Sequence, residues 1–211
     1  MVVSGRYKKY INKVMDPFGK LFAAWRVSPN FITFASLALA IIAAVLLVLN
    51  KNFFIFGAMV LLLNFFDLLD GAIARASGKC TKIGSYLDAM VDRYIEAIIL
   101  FAVGLVAGYW KLIFIVLFGS TCTAYAKART AQEVEIDNVN WPDLMEALER
   151  GIAAVVILLI RGFTRPQVYY EDAIFWGLIF LAIFTNITVL QRGYRAIRII
   201  SNQDVRRPPT G

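Results

Sequence analysis

The chain is predicted to be an all-α integral membrane protein, with six transmembrane helices preceded by an N-terminal amphipathic helix lying on the membrane surface. Three observations carry that expectation. The first is composition: 59% of the 211 residues are hydrophobic and only 18% are charged, against about 45–50% and about 25% in an ordinary soluble domain. So large an apolar excess cannot all enter one core at this length, and part of the surface must face lipid. The second is a series of apolar stretches, each close to the ~20 residues that a spanning helix needs. The third is an uneven distribution of lysine and arginine between alternate loops.

The first 27 residues are basic and interrupted, with no continuous apolar core, so they do not read as a secretory signal. Asp16-Pro17 looks like a helix cap and first helical position. Phe18, Leu21, Phe22 and Trp25 then recur at helical spacing, while Lys20 and Arg26 fall on other faces. That pattern is an interfacial amphipathic helix. Ser28-Pro29-Asn30 punctuates the chain, and the first span runs from Phe31 to Leu49. The second starts at Phe53 and stays apolar to Phe66, where polar residues begin; Gly78-Lys79-Cys80-Thr81-Lys82 is a short turn. The third runs from Gly84 to Trp110, polar first and apolar later, and the fourth from Leu112 to Ala126. The fifth, Met145 to Ile160, opens on Glu146, Glu149 and Arg150, and the sixth runs from Ala173 to Leu190. Residues 1–30 are thus a juxtamembrane segment, 31–195 the membrane domain and 196–211 a basic tail. No internal repeat is visible.

Six spans place both termini on one side. That side carries Arg6, Lys8, Lys9, Lys13, Lys20 and Arg26, the tail residues Arg192, Arg195, Arg198, Arg206 and Arg207, and Lys79 and Lys82 of the turn. The other side holds Lys51, Lys111, Arg161 and Arg165. The termini and the turn are therefore expected in the cytoplasm of a cell-membrane protein. Two cysteines, Cys80 and Cys122, make no disulfide framework, and the absence of histidine removes histidine chemistry. The net charge of +7 suits anionic lipid and phosphorylated substrates; nucleic acid is a poor partner for so apolar a chain.

Four carboxylates stand where lipid alone would not tolerate them. Asp67 and Asp70 are three residues apart, Asp88 and Asp92 four apart, so each pair shares a helix face. The short turn makes the second and third spans antiparallel neighbours. Asp67 follows Phe53 by fourteen residues, about 20 Å into a core of about 30 Å, which leaves about 10 Å to the cytoplasmic edge. Asp92 lies about 12 Å from the same edge, counted from Gly84. Acids meeting at one level must line a wet cavity, share protons or bind cations. An all-oxygen set favours hard divalent ions, and two of them about 4 Å apart could clamp a diphosphate. An ion path through a cation transporter is the competing reading; it expects two related halves, and none is apparent. Gly71, Ala74 and Gly84 leave room for close approach, and Arg75 suits a phosphate oxygen.

These residues spell Asp-x2-Asp-Gly-x2-Ala-Arg-x8-Gly-x3-Asp-x3-Asp without a gap, and in this the chain resembles the CDP-alcohol phosphotransferases. The six-span plan and the preceding amphipathic helix are similar too. The resemblance implies a metal-dependent enzyme of phospholipid synthesis that moves a phosphatidyl-type group from a CDP-linked donor to an alcohol and releases CMP. It implies Mg²⁺ or Mn²⁺, two ions per site, on Asp67, Asp70, Asp88 and Asp92, with Asp92 also the general base. It places Gly71, Ala74, Arg75, Thr81 and Gly84 at the CDP site, with Asn30 and Thr33 as further candidates. It also implies a homodimer formed through the later spans.

The alcohol is read from a second segment. Ala124-Tyr-Ala-Lys127-Ala-Arg129 resembles the Ser-Tyr-x-Lys/Arg-Ala-Arg segment of the branch that uses inositol phosphate, the archaetidylinositol phosphate and phosphatidylinositol phosphate synthases. Glu146-Ala-Leu-Glu-Arg150 resembles that branch's Glu-Arg-x-x-Arg, with Ala147 in place of the first arginine. Lys127, Arg129 and Arg150 are then expected to bind the phosphate of a phosphorylated polyol. The resemblance implies a lipid donor, CDP-diacylglycerol or CDP-archaeol. Glycerol 3-phosphate or serine as acceptor, and soluble CDP-inositol as donor, are the alternatives within the same chemistry.

Overall fold

The computed structural model describes residues 4–134, 144–164 and 173–204. Arg165, Arg206, Arg207 and the rest of the tail from residue 205 lie outside the described residues, as do the side chains of Arg6, Lys8 and Lys9. Among the described residues every regular element is an α-helix: α1 Ser4–Ala24, α2 Pro29–Asn50, α3 Phe53–Ser77, α4 Lys82–Ala107, α5 Trp110–Glu133, α6 Ala147–Phe163 and α7 Ala173–Asp204. Four are long and apolar enough to cross a membrane, namely α2, α3, α5 and the Ala173–Asn202 part of α7. The protein is a membrane protein.

Short polar side chains and a glycine close most of these helix ends. Ser28 Oγ accepts the Phe31 N–H at 3.1 Å, with Pro29 at the first helical position. Asn52 Oδ1 accepts the N–H groups of Phe54 and Ile55 at 3.0 and 3.1 Å, so two residues suffice to reverse the chain between α2 and α3. Gly78 closes α3 at φ +65°, a conformation that favours glycine, and Thr81 caps α4 by accepting the Gly84 N–H at 2.9 Å.

Asp16-Pro17 is the exception. α1 begins at Ser4 and runs through Pro17. Proline removes one backbone donor, but Lys13 and Pro17 both lie on the exposed side, where the carbonyl left over can be solvated. The helix ends also overrun the apolar stretches. α5 continues to Glu133 past Ala126, held by the Arg129–Glu133 pair at 2.5 Å and the Thr130 hydroxyl bonded to the Ala126 carbonyl at 2.7 Å. α7 continues past Leu190 to Asp204. Hydropathy marks the part of a helix that lipid covers, and the backbone ladder does not stop where the lipid does.

α3 is the centre of the bundle, packed against α1, α2 and α6; α2 also meets α4, and α5 pairs with α7. Small residues set the closest approaches. A Cβ at Gly19 of α1 would stand 2.6 Å from the Ala72 carbonyl oxygen of α3. Gly19→Leu should therefore force α1 off α3, an overpacking cost of about 1–3 kcal/mol. The expected readout is faster tryptic cleavage in detergent at Lys20 and Arg26, with α2–α7 remaining resistant; unchanged cleavage would contradict the packing.

Candidate active site

α3 and α4 are not the closely packed neighbours that the short turn predicts: after Gly78–Thr81, α4 packs against α2 and α5, and its Asp88 and Asp92 still come together with Asp67 of α3. Carboxylate oxygens of Asp67, Asp88 and Asp92 all lie within 4.8 Å of one another. Asp67 is open to the surface, and Asp88 and Asp92 are half-buried. The fourth acid stands apart. Asp70 is buried and accepts a 2.8 Å hydrogen bond from Thr33 Oγ1 of α2. All four line one cavity of about 140 Å³. Three anionic groups this close repel each other at low hydration, and an all-oxygen triad of this size fits a hard divalent cation. Asp70, beside it, is tied by a neutral donor that fixes its rotamer.

The other expected residues divide into two groups. Of the CDP-site candidates, only Thr33 lines the cavity. Asn30, Thr81 and Gly84 meet nearby: a Cβ on Gly84 would be 3.0 Å from Thr81 Oγ1 and 3.4 Å from Asn30 Oδ1. Thr81 therefore has a structural task as the α4 cap as well. Arg75 folds back over Gly71, its Nη1 3.4 Å from where a Cβ would sit, and its Nη2 is 3.8 Å from Asp16 of α1. Ala74 is half-buried one residue before it.

The three expected acceptor cations differ in their relation to the cavity. Arg150, buried at the start of α6, lines the cavity. Lys127 and Arg129 are absent from its lining; Arg129 is exposed and pairs with Glu133 at 2.5 Å and Gln132 at 2.8 Å. Glu146 and Glu149 open α6: the Glu146 N–H donates to Glu149 Oε2 at 2.8 Å. Arg93, Glu96 and Asn64, which no motif in the sequence marks, also line the cavity. A signal was available, since Glu96 continues the Asp88–Asp92 face by one more turn and charged residues inside a span are rarely idle. Arg192, counted only as a tail cation, is buried and donates to the Thr123 carbonyl, tying α7 to α5.

The CDP-alcohol phosphatidyltransferase family model matches residues 26–187. Archaetidylinositol phosphate synthase from Pyrococcus horikoshii is 31% identical over 189 residues, 88% of this chain and 92% of that protein. Phosphatidylinositol phosphate synthase from Mycobacterium tuberculosis is similar in crystal structures. Its complex with CDP-DAG superposes with TM-score 0.71 at 25% identity, covering 87% of this chain and 94% of that one. Its complex with manganese and citrate gives TM-score 0.73 at 25% identity, covering 86% and 88%.

Proposed function

This chain belongs to the CDP-alcohol phosphatidyltransferase family, and from that premise we propose that it transfers the phosphatidyl or archaetidyl group of a CDP-lipid to inositol phosphate, releasing CMP. The single observation that carries the chemistry is the convergence of Asp67, Asp88 and Asp92 within 4.8 Å. The names of the similar synthases support the acceptor. Asp67, Asp88 and Asp92, with Asp70 beside them, would hold Mg²⁺ or Mn²⁺, two ions in our reading. When bound, the ions neutralise the carboxylates and polarise the donor's diphosphate.

The chain's own groups do the rest. Asp92 takes the proton from the acceptor hydroxyl as the new O–P bond forms and the bond to CMP breaks. As an ionised carboxylate it is a weak base, so the gain lies in holding the hydroxyl in line with the phosphorus. Gly71, Ala74 and Gly84 admit the nucleotide and its phosphates, Arg75 faces a phosphate oxygen, and Thr81, Asn30 and Thr33 border the same side. Arg150 meets the acceptor's phosphate inside the cavity, with Lys127 and Arg129 adding positive charge from α5.

In this reading α2 to α7 are the six spans. α4 is rich in charge because it carries the site, and α6, at 17 residues, reaches about 25 Å. Tyr10, Val14, Phe18 and Leu21 form an exposed apolar stripe on α1, continued by Trp25 just past its end, as an interfacial helix requires. Both termini and the site face the cytoplasm, and exposed apolar side chains of α5 and α7 such as Phe118 and Ile183 suit a homodimer.

The test is CMP release by detergent-purified protein given CDP-diacylglycerol or CDP-archaeol with a panel of alcohols and Mg²⁺ or Mn²⁺. Inositol phosphate is expected to be the best acceptor. Serine, glycerol 3-phosphate or free inositol in first place would overturn the acceptor assignment and leave the reaction class standing.

A further inference from the structure

Beyond the carboxylates the cavity continues about one helical turn deeper, and polar groups line it there among Leu63, Ile99 and Leu100. Asn64 precedes Asp67 by three residues on α3, and Glu96 follows Asp92 by four on α4, so both lie one turn below the acids. Asn64 Nδ2 is buried and has no hydrogen-bond partner among the described residues. Its amide is pressed against Gly151 of α6, where a Cβ would stand 2.8 Å from Oδ1 and 3.0 Å from Nδ2. A bare backbone at 151 is what keeps the amide in place. Leaving a buried donor unpaired is unfavourable, so an amide held in a cavity wall in this way points to a partner that arrives with a ligand.

The neighbouring groups are preorganised. Arg93 Nη1 donates to Glu96 Oε2 at 2.5 Å and to Ser120 Oγ of α5 at 2.9 Å. Arg150 Nε lies 3.9 Å from Glu96 Oε1. The carboxylate of Glu96 is thus fixed between two guanidinium groups, with lone pairs left to accept further bonds.

We propose that Asn64, Arg93 and Glu96 form a hydroxyl-recognition subsite for the neutral polyol part of the acceptor, and so determine which alcohol is used. A hydroxyl both donates and accepts, and this floor offers amide and guanidinium N–H donors beside a carboxylate acceptor. An ammonium group placed there would meet Arg93 and Arg150. A polyol whose reacting hydroxyl sits at Asp92 extends its remaining hydroxyls one turn deeper, onto these three side chains.

The inference rests on the proposed function, and its experiment separates the two. CMP release is measured with inositol phosphate and with glycerol 3-phosphate, at saturating CDP-lipid, for the wild type, Asn64→Leu, Glu96→Gln and Gly151→Ala. The last variant displaces the Asn64 amide with one methyl group and leaves its chemistry intact. Each variant should lower the kcat/KM preference for inositol phosphate by about tenfold, as expected for one lost hydrogen bond that leaves its partner unpaired. The loss should fall mainly on the KM of inositol phosphate, with the donor's KM unchanged. A wild type that prefers another acceptor overturns the proposed function and the subsite together. A wild type that prefers inositol phosphate, with the preference intact in the variants that fold, overturns the subsite alone. Equal loss with both acceptors also overturns it, because a merely structural role acts on both alike.

Discussion

Asp88→Asn and Asp92→Asn are each expected to lower CMP release by about 10²–10⁴-fold, the range for losing a positioned base or its equivalent in charge stabilisation. EDTA treatment should abolish activity in the wild type, and Mg²⁺ or Mn²⁺ should restore it. Stability should move the other way. Asp67, Asp88 and Asp92 lie within 4.8 Å of one another, so replacing one anion by a neutral amide of the same shape relieves repulsion in the metal-free protein. The melting temperature of metal-free Asp88→Asn should therefore equal or exceed that of the wild type, and the rise that Mn²⁺ causes in the wild type should shrink. Full activity in metal-free buffer would sink the divalent-ion reading, as would an Asp88→Asn protein that Mn²⁺ stabilises as well as the wild type.

Arg150→Ala should raise the acceptor's KM by roughly 10–100-fold, because a charge-assisted contact contributes about 1.5–3 kcal/mol. The donor's KM should hardly change. Arg150 is buried against Glu96 at 3.9 Å, so its truncation also leaves a carboxylate with less compensation, and some loss of stability is expected. Arg150→Lys separates the two effects: it restores charge and stability but not planar two-point contact with a phosphate, so KM should recover only in part. Lys127→Ala should act in the same direction. Arg129→Ala should do least, since Glu133 at 2.5 Å already neutralises an exposed guanidinium. Unchanged acceptor KM in Arg150→Ala would remove this residue from the phosphate site.

The contrast between Arg150 and Arg129 shows where sequence reading reaches its limit. Both follow from local resemblance to one branch of the family, and both are arginines near helix ends. Which of them faces the cavity depends on the rotation of α5 and the rotation of α6, the latter set where Gly151 closes on Asn64 of α3. Neither is written in a motif. Likewise Arg93 and Glu96 read as two more charges in a polar span until α5 and α6 bring Ser120 and Arg150 to them.

The sequence by itself determined the class of the fold and the chemistry of its centre. Apolar composition and length require a membrane bundle, and helical periodicity puts Asp67 with Asp70, and Asp88 with Asp92, on shared faces. The five-residue turn of Gly78 to Lys82 brings the chain straight back, so both acid pairs lie near the same end of the bundle. All of these are short-range constraints, acting within a helix or across one turn. Tertiary structure alone decided that three acids close on one another while Asp70 turns to Thr33, that α1 runs through Pro17, and that Asn64 and Glu96 floor the cavity. The physical reason is that such pairings depend on the rotation and closest approach of helices far apart in sequence. Those are settled by glycines and buried polar contacts at a few crossing points, and an apolar stretch carries no trace of its angle about its own axis.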